Sequence, residues 1–139
     1  MKLEAFGLAG IAVAVCTIPA VAHHSFAMFD AGQRITVAGT VKEFLWTNPH
    51  AFIQMMAPNS DGQLEPWSIE MGGPAGLARQ GWVPKTLKPG MSISVILHPL
   101  RDGAHGGQFL AVTLPDGTQL GNPNTEPVVE GAGAQQRAQ

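Results

Sequence analysis

The sequence predicts an all-β domain, a small five-stranded barrel carrying one short helix. Three observations predict it. Five segments alternate apolar and polar residues with a period of two, or run apolar and β-branched. A single segment has a helical start and stop signal. Turns built from Gly, Pro, Asn and Asp separate the segments. The 139 residues leave room for one domain and no more.

The first strand is read at residues 35–46, "ITVAGTVKEFLW". Ile35, Val37, Val41 and Leu45 alternate with Thr36, Thr40 and Lys42. Gly39 inside it suggests a bulge or bend of the kind a small barrel needs. Thr47-Asn48-Pro49 forms a turn, because proline removes a donor and forces the residue before it out of the helical region. His50 follows at the mouth of a second strand, "AFIQMM". Asn59-Ser60-Asp61-Gly62 is a hairpin turn. The third strand, "PWSIEM", puts Trp67, Ile69 and Met71 on one face and Ser68 and Glu70 on the other. In "GGPAGLARQGW", Pro74 suits a first helical turn and Gly81 a C-terminal stop. "MSISVILH" then sends Met91, Ile93, Val95 and Leu97 inward, and His98 falls on the opposite parity. "QFLAVTL" is the fifth strand, after the loop "RDGAHGG". Three strands, a helix and two strands is the order of an oligonucleotide/oligosaccharide-binding (OB) barrel. A Greek-key sandwich would need about seven strands.

The domain is expected to span residues 23–120. Residues 1–22 read as a secretory signal peptide: Lys2 is the positive n-region, residues 5–15 are apolar, and Pro19 precedes the small-x-small site Ala20-Val21-Ala22. Two other readings of this segment are a membrane anchor, which Pro19 cuts short of the ~20 apolar residues a span needs, and lipidation of Cys16, for which Val15 is an unsuitable neighbour. Cleavage after Ala22 removes the only cysteine, so the mature chain has no disulfide and no thiolate ligand. The protein is expected in the periplasm, with no membrane span after cleavage. Residues 121–139, rich in Gly, Pro, Gln and Ala, read as a disordered C-terminal tail. The formal net charge of −2 offers no basic footprint, so no nucleic acid is expected as a partner.

Cleavage has a chemical consequence. With His23 as the free terminus, its α-amine and ring Nδ1 form a compact chelate, and an imidazole from elsewhere completes a three-nitrogen "histidine brace". That set suits Cu(II), which favours tetragonal nitrogen geometry and tops the divalent affinity order. His50, beside a proline, is the candidate second ring, with His98, also beside a proline, or His24 as a further ligand or an outer neighbour. His105 sits among glycines and reads as solvated. Met55, Met56, Met71 and Met91 read as core, although thioethers also suit Cu(I). Trp46 and Trp67, with Glu70, form a possible ligand face; barrel packing is their plainer explanation.

No G-x-S-x-G, Walker or H-E-x-x-H signature is present, so an enzyme is the less favoured reading. The leading expectation is a periplasmic copper-handling protein whose partners are a metal ion and another periplasmic protein. The alternative is a module of the cell envelope that binds a non-metal ligand or a protein.

The stretches "HHSFAMFD", "GTVKEFLWTNPH", "WSIEMGGPAGLARQGW" and "LKPGMSISVILHPLRDG" together resemble a family of small exported bacterial proteins of unknown function. The resemblance runs from His23 to about Leu120. It implies export and an OB-like barrel, and it implies no activity. The positions that match are His23, His24, Trp46, Asn48, Pro49, His50, Trp67 and Glu70.

Overall fold

The computed structural model describes residues 26–125. The expected signal peptide, His23 and His24 lie outside the described residues, as does the tail beyond Thr125. Strands β1 (Ile35–Leu45), β2 (Phe52–Pro58), β3 (Leu64–Glu70), β4 (Ser92–Pro99), β5 (Gly106–Thr113) and β6 (Gln119–Gly121) form one sheet, with helix α1 (Pro74–Arg79) between β3 and β4. The order β3-β2-β1-β4-β5-β6 closes through a parallel β3–β5 pairing into a five-stranded barrel. This is the OB arrangement expected from the element order. Among the described residues, no helix is long and apolar enough to cross a membrane.

Strand β1 is long because it serves two partners. Ile35–Thr40 pairs with β4, and Thr40–Leu45 pairs with β2. The register shift lies between Val41 and Glu43, just past the glycine that suggested it. Gly39 itself is the point of closest approach: a Cβ there would strike the Met56 carbonyl oxygen and stand 2.8 Å from Met55 Cε. The β3–β5 closure depends on a second glycine. A Cβ on Gly106 would lie 2.7 Å from the Ser68 carbonyl oxygen and 3.0 Å from Leu100 Cδ1.

The inward faces carry the predicted alternation. Val41, Ile53, Met55, Ile69, Val95, Leu97 and Val112 are buried in one core, and Trp82 and Leu77 join it from the helical segment. Proline at its start and Gly81 (φ 89°) after its end bound α1, as the sequence predicts. Trp82 lies edge-on to Phe109 at 5.5 Å and packs against Phe44 at 6.0 Å.

Two features exceed the prediction. Residues 28–33 run as a strap along the end of β4: Phe29 bridges Leu100, and the Asp30 N–H donates to the Pro99 carbonyl at 2.8 Å. At the other end, β6 reaches Gly121, and the Asn122 N–H donates to the Leu110 carbonyl at 2.9 Å. Order therefore continues past the boundary set at residue 120.

Candidate functional site

The sequence left four described side chains as candidates on the barrel, His50, His98, Trp67 and Glu70, with Trp46 beside them. The structure distributes them among three places. His50 lies in the β1–β2 loop, after a cis Asn48–Pro49 peptide. Its carbonyl accepts from Thr47 Oγ1 at 3.0 Å. Ala51 and Met71 bond backbone to backbone, which sets His50 beside the end of β3. There His50 Nδ1 stands 3.0 Å from the Met71 carbonyl oxygen and 3.5 Å from Glu70 Oε1. A carbonyl can only accept, so Nδ1 carries the proton and the lone pair of the neutral ring falls on Nε2. Ligating imidazoles are commonly held this way by a carbonyl or carboxylate behind them.

His98 is placed differently. It is wholly buried on the outer side of β4, beneath the strap. Its Nδ1 donates to the Gln33 carbonyl at 2.6 Å, and its Nε2 is sealed without a hydrogen-bond partner. Period-two alternation put His98 on an outward face, and it is on that face. The strap, which the alternation does not reveal, covers it. Among the described residues, no three His, Cys, Asp or Glu groups stand close enough to hold a metal ion together.

The tryptophans pack against the core. Trp46 meets Phe44 edge-on at 5.6 Å. Trp67, paired across the sheet with the buried Met55, holds a residue that the sequence read as solvated. His105 stacks on its indole at 5.1 Å with 18° between the ring planes. His105 Nε2 is 3.3 Å from Glu65 Oε2, and Glu65 Oε1 accepts from Asn59 Nδ2 at 2.9 Å. His105 and Glu65 are the residues that sequence reasoning missed. The available signal was parity: Glu65 and Trp67 share a face of β3. What the sequence could not show is that the β4–β5 loop folds back over that face. The Ser68 N–H, donating to the His105 carbonyl at 3.2 Å, fixes it there.

A model of one protein family matches residues 11–109. The chain belongs to DUF6152, a family of unknown function. No curated protein matches the chain. Two crystal structures of the mitochondrial single-stranded DNA-binding protein Rim1 of S. cerevisiae are similar to it, each at 13% identity over 60% of this chain and 93% of Rim1. Their TM-scores are 0.46 and 0.41. This likeness to the DUF6152 chain is one of fold, and it assigns no ligand. The exclusion of nucleic acid drawn from net charge is corrected here, since both similar structures are of a single-stranded DNA-binding protein. Net charge sums over the whole chain and says nothing of a local face, so the exclusion is withdrawn.

Proposed function

We propose that this DUF6152 protein is exported to the periplasm, loses residues 1–22 and binds a metal ion, copper, for handling or delivery. The amine and ring of His23 form the chelate, with His24 adjacent, and the barrel supplies the remaining imidazole. The observation that carries this reading is the pairing of both solvent-reaching barrel imidazoles with glutamates, His50 with Glu70 and His105 with Glu65. Carboxylate-backed imidazoles are good ligands, because the outer partner fixes the tautomer and raises ligand basicity. His98 drops out of the ligand set, since no ion reaches a nitrogen sealed under the strap.

The chemistry of such a site is binding without turnover. Amine and imidazole nitrogens give the tetragonal field that Cu(II) prefers, and binding releases the protons those nitrogens carried. The test is a Cu(II) titration of protein purified from the periplasm, its terminus fixed by intact mass. We expect one tight site with a nitrogen-rich axial paramagnetic resonance spectrum. It should weaken at least tenfold when one extra residue precedes His23, which turns the amine into an amide. A protein starting at His23 with no tight copper would sink the proposal.

A second reading is favoured by one observation, the His105–Trp67 stack with Glu65 at its edge. A stacked aromatic pair with a carboxylate is also a platform for a planar or cationic organic ligand. Metal-independent binding that quenches Trp67 fluorescence would identify it.

A further inference from the structure

Apart from the metal reading, we propose a second binding site, in the cavity between α1 and the end of the β5–β6 hairpin, for a neutral sugar carrying an N-acetyl group. Two observations carry it: an open space built from glycines, and a lining whose free polar groups are amides and not charges.

The space comes from the sequence at two turns. Leaving β3, the chain reaches α1 through Gly72 and Gly73, and of the helix only Leu77 is buried. A Cβ on Gly72 would meet nothing within 4 Å, and one on Gly76 would meet only Arg79 Nη2, at 3.9 Å. At the second turn Gly121 ends β6 with φ 88°, and the Asn122 N–H donates to the Leu110 carbonyl at 2.9 Å. Only glycine lets the backbone close there, since a Cβ on Gly121 would strike the Leu110 carbonyl oxygen and lie 2.9 Å from Phe109 Cε1. Between the two turns is a cavity of about 500 Å³. Small-molecule sites span roughly 300–1,000 Å³. Gly76, Leu77 and Gln80 line it from the helical segment, and Phe109, Leu110 and Asn122 from the hairpin.

The lining sets the class of ligand. It contains no charged side chain, and Arg79 stands beside Gly76 but outside it, so nothing in the lining pairs with an ion. The Gln80 side-chain amide makes no hydrogen bond among the described residues. Asn122 Oδ1 accepts from the Asn124 N–H at 2.9 Å, which leaves Nδ2 free to donate. An amide group both donates and accepts, as a hydroxyl does, so amides match hydroxyls in either direction. The half-buried Phe109 ring, packed edge-on with Trp82 at 5.5 Å, offers an apolar surface to the C–H face of a pyranose. Leu77 and Leu110, both buried, add an apolar floor, where the methyl of an N-acetyl group is removed from water. Hydroxyls toward the amides and an acetyl methyl toward the leucines describe an N-acetylated neutral sugar.

The experiment follows the backbone amide resonances of the full chain during titration with N-acetylglucosamine. A chelator is present, so that no metal contributes. Glucose is the comparison ligand, and Gly76→Leu, Gln80→Glu and Asn122→Asp are the variants. Gly76→Leu should keep the fold, since leucine is the better helix former and its Cβ meets open space; a dispersed spectrum checks this. We expect saturable shifts at Gly76, Gln80, Gly121 and Asn122, with none at the Asn59–Gly62 turn. Gly76→Leu should abolish them by filling the cavity. Gln80→Glu and Asn122→Asp keep the size and remove an amide donor. Each should weaken binding about two- to tenfold, the effect of one neutral hydrogen bond. Glucose should bind about fourfold more weakly, the effect of one methyl-sized group left unburied. Shifts that do not saturate, or unchanged binding in folded Gly76→Leu, overturn the site. Unchanged binding in both amide variants, or glucose binding as well as N-acetylglucosamine, overturns the class of ligand assigned to it.

Discussion

Replacing His98 separates its two nitrogens, because each amide side chain imitates one of them. In His98→Asn the amide nitrogen falls near the place of Nδ1 and can still donate to the Gln33 carbonyl, which His98 now meets at 2.6 Å. The partnerless Nε2 is deleted along with part of the ring. In His98→Gln the polar end falls near Nε2, and the Gln33 carbonyl loses its ring donor. Leaving a part-buried acceptor unmet costs up to about 1–3 kcal/mol. The void left by the missing ring atoms costs about 1–2 kcal/mol in Asn and less in Gln, scaled down from the 2–5 kcal/mol of full truncation to alanine. The orphan nitrogen carries its own desolvation penalty of about 1–3 kcal/mol, which Asn relieves and Gln retains. We therefore expect Asn to be more stable than Gln by about 1–3 kcal/mol. His98→Ala should be the least stable, down by about 3–5 kcal/mol from a total that for such a domain is about 5–15 kcal/mol. Urea unfolding followed by tryptophan emission measures all three. Equal stability of Asn and Gln, or Gln above Asn, would refute the assignment of Nδ1 as the bonded nitrogen and Nε2 as the orphan.

Two further outcomes follow from local geometry. Gly39→Val should cost about 3 kcal/mol or more, because its Cβ meets the backbone of Met56 and Ala57 and overpacking a fixed backbone exceeds the usual 1–3 kcal/mol; a melting temperature within a few degrees of wild type would contradict this. Asp116 is held below the usual carboxylate range chiefly by the Thr118 N–H, which donates to it at 2.8 Å. Its support of the β5–β6 turn is present at neutral pH and is lost as pH falls through that lowered value. The Thr118 amide resonance should follow the same acid titration, which disappears in Asp116→Asn.

The barrel was readable because its strands are half-buried and alternate cleanly. Val95 and Leu97 against Ser92 and Ser94, or Trp67 and Ile69 against Ser68, need only the pleat to be interpreted. Strand ends moved by one or two residues where the partner strand, and not the local sequence, decides pairing; β5 starts at Gly106 because β3 lies alongside it. The site was less legible. His50 was placed correctly at the mouth of β2, and its contact with Glu70 follows from the β2–β3 register. His98 and His105 exchanged expectations, the one buried and the other stacked and paired. Both changes come from irregular segments, the strap and the β4–β5 loop, that pack by backbone hydrogen bonds. Alternation carries no trace of such bonds.

The parallel closure of β3 on β5 also governs how anything else can approach this molecule. Among the described residues, the closed ring leaves only short open edges, such as the three-residue β6 and β3 before Ser68. A visiting peptide therefore finds no long row of open backbone donors and acceptors along which to lie as an extra strand. Stacking of one copy on another through strand edges is blunted in the same way, without the charged guards that open sheets require. Among the described residues, what remains open to a partner is the side chains on the faces and the loops.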